Sequence, residues 1–150
     1  MAKYAADGQD TNTAATTIIG VDAGTTARRQ KWAYITLGSD ATPADNAAEY
    51  NVQRYTVDGT STAITPTPLD PADAAALAEA GEAHSIEPTY TANLILLNFM
   101  ANQRATFQWY AAPGYEFITP ATSDNGAGIL VVTVAGSAIN VGATIHFEEQ

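Results

Sequence analysis

The stretch Val141-Gly142-Ala143-Thr144-Ile145-His146-Phe147-Glu148 alternates apolar and polar residues without a break. Successive side chains of a strand point to opposite faces, so Val141, Ala143, Ile145 and Phe147 share one face and Thr144, His146 and Glu148 the other. That is the pattern of an antiparallel strand with one buried face and one wet face. Ala47 to Thr56 repeats it, with Ala48, Tyr50 and Val52 inward and Glu49, Asn51 and Gln53 outward. Arg54 falls on the apolar side, which marks a bulge or the end of the core there.

Working outward, further strands are expected at 16–21, 31–37, 61–65, 85–90, 105–110 and 116–118. Within Lys31–Leu37, strict alternation places Trp32 and Tyr34 on one face and Ala33, Ile35 and Leu37 on the other. Asn93–Met100 (NLILLNFM) and Gly128–Val134 are apolar on both faces, as central strands are. Gly38–Asn46 is a loop dense in Gly, Asp, Ser and Pro, and Asp58-Gly59 suggests a hairpin into Ser61–Thr65. One short helix is expected over Pro71–Ala80: Asp70 caps it, Pro71 suits its first position, and Gly81 stops it. Residues 1–15, small and polar, read as an extended arm. The fold expected is therefore all-β: an antiparallel β-sandwich, jelly-roll-like or Ig-like, of about eight strands over 16–150, with one short helix.

Composition narrows the function. The 150 residues suit one domain, large enough for a core without a disulfide or metal staple. Sixteen acids against six Lys and Arg give a net charge of −10, the wrong sign for binding nucleic acid or an anionic membrane surface. Cysteine is absent, which excludes disulfide and thiol chemistry. Met1-Ala2-Lys3-Tyr4 does not lead into an apolar run, so no signal peptide is expected and synthesis is placed in the cytoplasm. Twenty threonines supply much of the polarity. Threonine suits strands and is cheaper to desolvate than Lys or Glu, which fits a surface that meets other proteins and equally a threonine-rich sandwich with no such role.

Catalytic motifs do not appear. There is no phosphate loop and no GxSxG. His84 and His146 lack metal-ligand spacing, and the loop aspartates do not fit a calcium loop. No enzyme activity, cofactor or small-molecule substrate is expected. Trp32, Tyr34, Trp109, Tyr110 and Tyr115 could form an aromatic platform for sugar, although core packing explains the two tryptophans more simply.

Several segments, taken whole, resemble small structural proteins of tailed bacteriophages. They are Gly38–Pro71, Glu87–Asn93 (EPTYTAN), Asn102–Gly114 (NQRATFQWYAAPG) and Ala143–Glu149 (ATIHFEE). The resemblance covers most of the chain and includes capsid cement, or decoration, proteins. It implies a virion component on the outside of the head shell, bound to the major capsid protein, commonly a homotrimer at three-fold positions. It brings no catalytic residues. Under that reading Lys3 and Tyr4 of the arm, with Arg28, Arg29 and Lys31, are the candidates for capsid contact. Leu69, Asp70 and Leu77, in and beside the expected helix, are the candidates for self-association. A phage fibre or head-surface module that binds carbohydrate is the alternative.

Overall fold

Period-two alternation builds twelve strands and no helix in the computed structural model, which describes all 150 residues. The first sheet contains β1 (Lys3–Thr11), β3 (Gln30–Ser39), β6 (Thr67–Pro68), β9 (Phe107–Tyr110), β10 (Phe117–Ile118) and β12 (Asn140–Glu149). Its order is β10-β3-β12-β1-β6, with β9 on the same side of β3 as β10's path begins. The second sheet contains β2 (Thr17–Asp22), β4 (Ala47–Tyr55), β5 (Thr60–Ile64), β7 (Glu79–Ile86), β8 (Tyr90–Asn102) and β11 (Gly126–Val134). Its order is β5-β7-β2-β11-β4-β8. Every pairing in both sheets is antiparallel.

The core lies between the sheets. Trp32, Ile35, Ile145 and Phe147 of the first sheet, and Ile19, Val52, Ile129 and Val131 of the second, are buried in one cluster. Each such side chain contributes about 1.5–3 kcal/mol through removal from water. One flank is closed by aromatic stacking across the sheets. Phe99 of β8 lies 3.8 Å from Phe107 of β9, and 5.3 Å from Tyr50 on its other side. The sandwich is the expected fold, and the alternations in β4 and β12 point inward and outward as the sequence reads.

Five local expectations are corrected. Residues 3–11 are not an arm: β1 pairs with β12 from Lys3↔Glu148 to Thr11↔Asn140, between β12 and the two-residue β6 of the first sheet. Tyr4, Ala6 and Gly8 form its inner face. Small side chains hide the alternation because the second sheet passes close by; a Cβ on Gly8 would meet Ile64 Cδ1 at 2.9 Å.

The helix over Pro71–Ala80 is absent. Asp70 caps a single turn, accepting from Ala72 N–H and, through its carbonyl, from Asp73 N–H. Beyond it the N–H groups of Leu77 and Ala78 both donate to Glu149 Oε1, and Tyr4 Oη donates to Ala74 O. A short helix with one large apolar residue has little tertiary packing to hold it, and Ala78 and Ala80 instead enter the core.

Tyr34 does not share a face with Trp32. The register slips between Phe147↔Trp32 and His146↔Tyr34, and the extra residue, Ala33, bulges. Trp32 is thereby buried while Tyr34 turns outward. The Asp58-Gly59 link follows a bend at Thr56-Val57, with Gly59 at φ +80. It does not make a hairpin, because β5 pairs with β7 on the far side of the sheet from β4. Finally, Asn93–Met100 lies in the edge strand β8 rather than a central one, and β11 alone of the two apolar runs is central.

Candidate functional site

At the end of the first sheet where the chain begins and finishes, three strands line up Lys3, Glu148 and Lys31 in register. Alternation sends these side chains to the outer face. One residue pair further along, His146 of β12 stands beside Tyr34 of β3, 5.0 Å between ring centroids and edge-on. Tyr110 of β9 lies on the other side of Tyr34, at 4.6 Å. Leu69 is held over this row because its N–H donates to Lys3 O. Together they line a groove of about 320 Å³.

The groove mixes cation and aromatic surface. Lys31 pairs with Glu116 at 3.4 Å, the one ion pair of the molecule, and Lys3 has none. Glu148 Oε1 is buried beneath them without a hydrogen-bond partner. Burial holds the His146 imidazole below its usual range, so the ring is neutral at pH 7. Tyr110 is 68% exposed, while Tyr34 beside it is half-buried. An open phenol next to an ammonium can stack on a ring or pair with an acid; the neutral imidazole adds a donor or an acceptor.

The sequence candidates are redistributed. Lys3, Lys31 and Leu69 come together in this groove. Arg28 lies next to it, at the rim of a smaller hollow of about 240 Å³ that it shares with Leu77 and Gln150. Arg29 is exposed, and its backbone exchanges two hydrogen bonds with Gln150. Four of the six cations thus gather at one end of the first sheet. Tyr4 does not belong to that surface. It is 2% exposed, packed on Phe147, with its hydroxyl on Ala74 O. Asp70 serves its own turn. Of the aromatic residues, Trp32 is core, and half-buried Trp109 stacks on Phe117 at 4.2 Å. The part of Glu116 is visible only in three dimensions, because it comes from a loop that precedes the two-residue strand β10.

A larger cleft of about 490 Å³ is lined by residues of the paired strands β5 and β7 and their neighbours, among them Asp22, Asp58, Glu79 and His84. Burial pushes the Asp22 carboxyl up to about 7, helped by Asp58, Glu79 and Asp124, while the hydrogen bond from Tyr55 Oη opposes the rise. Burial also holds His84 neutral. These groups do not converge as metal ligands, and Asp22 is engaged by Tyr55. The cleft is a place where the sheet buries an acid. Compared with known proteins, the chain matches no family model, no curated protein and no solved structure.

Proposed function

We propose that this protein is a decoration protein of a tailed-phage head, docking on the outside of the shell through the Lys3–Lys31 groove and the neighbouring Arg28 and Arg29. The observation that carries the reading is the placement of charge. In a chain of net charge −10, four of six cations sit at one end of one sheet beside exposed aromatic surface. That end offers an acidic partner most of the cations the molecule has, with Glu116 paired to Lys31 and with Glu148 and Glu149 standing among them. Aromatic and basic side chains are also the residue types that dominate binding energy at protein interfaces. The body behind them is a rigid sandwich. One weak contact per copy, repeated over a symmetric shell of major capsid protein, adds up by avidity if copies are linked.

Co-sedimentation with the parent phage's expanded heads tests this. Wild-type protein is expected to pellet with the heads, less so as salt rises. Lys3→Glu with Lys31→Glu is expected to stay folded and remain in the supernatant. Undiminished pelleting of that double variant would remove the groove from the contact. Carbohydrate binding is the second reading, favoured by the open Tyr34–Tyr110 pair. Tyr110→Ala separates the two: it abolishes retention on a polysaccharide if sugar is the ligand, and leaves the salt dependence of head binding intact if the shell is.

A further inference from the structure

Strand β8 runs for thirteen residues, Tyr90–Asn102, along the edge of the second sheet. It contains no charged residue, no Pro and no Gly. From Leu97 to Asn102 it pairs residue for residue with β4 (Val52 to Ala47), and its irregularities are confined to the half before Leu97. On its other side no strand pairs with it, and the backbone groups of Leu94–Ala101 bond to no loop either. Leu94, Ile95 and Met100 are 44%, 45% and 65% exposed. An uncharged edge thirteen residues long, regular over its last six and with a row of free N–H and C=O groups, is a template for another strand.

The remaining edges are guarded: beyond Ala5, where β6 stops, the open side of β1 carries Asp7 and Asp10 and gives its Gln9 N–H to Glu82. β6 is two residues long and carries Pro68; β9 and β10 have four and two residues; β5 has five, four of them Ser, Thr or Ala. A head-to-tail ring of copies would need β8 to meet one of these. The matching occupant is another uncharged apolar strand, and the chain holds one such strand on an open edge, which is β8 itself. Charge points the same way. Two copies of net charge −10 repel wherever acids face each other, and β8 itself adds no charge to the contact, Glu49 lying one strand behind it.

We infer that β8 pairs antiparallel with β8 of a second copy, joining two second sheets edge to edge about a two-fold axis. The contact is isologous, so it closes as a dimer. It does not rest on the capsid reading, and it differs from the homotrimer which the phage resemblance implies. It also gives that reading the linkage between copies that avidity requires.

Light scattering on wild-type protein is expected to give twice the chain's 15.7 kDa. Met100→Lys is the first variant. Met100 lies opposite Glu49, so the new ammonium gains a cross-strand partner within the fold while placing charge on the open edge. It is expected to halve the mass with an unchanged far-ultraviolet spectrum. Leu94→Lys, at the irregular end, is the second variant and is expected to weaken the dimer less. Backbone amide exchange checks the same contact without mutation: the edge amides of Ile95–Asn102 are expected to be slow in the wild type and fast in Met100→Lys. A wild-type monomer, a trimer, or a dimer that survives both variants overturns the inference.

Discussion

The outer faces of the two sheets begin from the same alternation and end differently. On the first sheet the outward row stays open: Lys31, Tyr34, Thr36 and His146 are half-exposed, and all but Thr36 line the groove. On the second sheet the outward row is sealed over β2, while β5 and much of β7 stay exposed. All six residues of β2 are buried. Tyr55 and Tyr90 lie across that face, edge-on to each other at 5.8 Å. Their hydroxyls occupy the space above two glycines; a Cβ on Gly20 would stand 2.9 Å from Tyr55 Oη, and one on Gly128 2.5 Å from Tyr90 Oη. Tyr90 Oη also shares a hydrogen bond with Thr17 Oγ1, at 2.8 Å. An outward position is thus wet only where nothing folds back over it. The sealed face contributes stability, and the open one stays accessible to solvent.

Breaking the seal should have the largest effect. Tyr55→Ala removes a fully buried ring and uncovers Gly20, and truncating a buried aromatic costs about 3–5 kcal/mol. Urea unfolding is expected to show a lower midpoint with an unchanged slope. A loss below about 1 kcal/mol would mean that Tyr55 decorates the face rather than closing it.

Asp22 sharpens the same comparison, because the seal makes it hard to ionise. Its folded pKa is raised to about 7 from 3.8. Below pH 3.8 both folded and unfolded chains hold the proton. Between 3.8 and 7 the unfolded chain releases it while the folded one keeps it, so this contribution to stability falls as pH rises through that window and then levels. Asp22→Asn keeps an acceptor for Tyr55 Oη and has no charge to bury. At pH 8 it is expected to be more stable than the wild type by roughly 1–4 kcal/mol, and near pH 3.5 the two should nearly coincide. Taking the difference between the two proteins cancels His84, whose lowered pKa acts in the opposite direction. Equal stabilities across the whole range would place Asp22 in water.

The sandwich was legible because Ala48/Tyr50/Val52 and Val141/Ala143/Ile145/Phe147 carry large side chains at period two. β1 was not, because its inward positions beyond Tyr4 are Ala6 and Gly8, chosen for close approach of the sheets and indistinguishable in sequence from a polar arm. The alanine-rich stretch at 71–80 satisfies helix propensity, yet its backbone groups are taken by Glu149 and Tyr4, more than sixty residues away. NLILLNFM reads as central because a two-sided apolar strand normally has neighbours on both sides; here the second neighbour is missing from the chain. The cations Lys3 and Lys31 were recognisable as exceptions in an acidic protein. Their meeting with Tyr34 depended on one bulged residue, Ala33, which alternation alone does not register.

The smallest effect on stability, and the finest test of the open face, belongs to Glu116. Its carboxylate is held below the usual range, first by its own backbone N–H and then by Lys31. Lys31 and Glu116 are partly exposed, and solvent screens ion pairs of that kind, so this one contributes little to stability. Glu116→Gln should therefore leave the unfolding midpoint almost where it was. It should also free the Lys31 ammonium and remove one negative charge from the groove. If the groove receives an acidic surface, the variant is expected to bind heads more tightly than the wild type at low salt, with the gain shrinking as salt is added. Unaltered binding at every salt concentration would separate Lys31 from the contact and leave Lys3, Arg28 and Arg29 to carry it. Weaker binding would mean that Glu116 itself meets a basic group on the partner, and the sign of charge matching at the groove would have to be reversed.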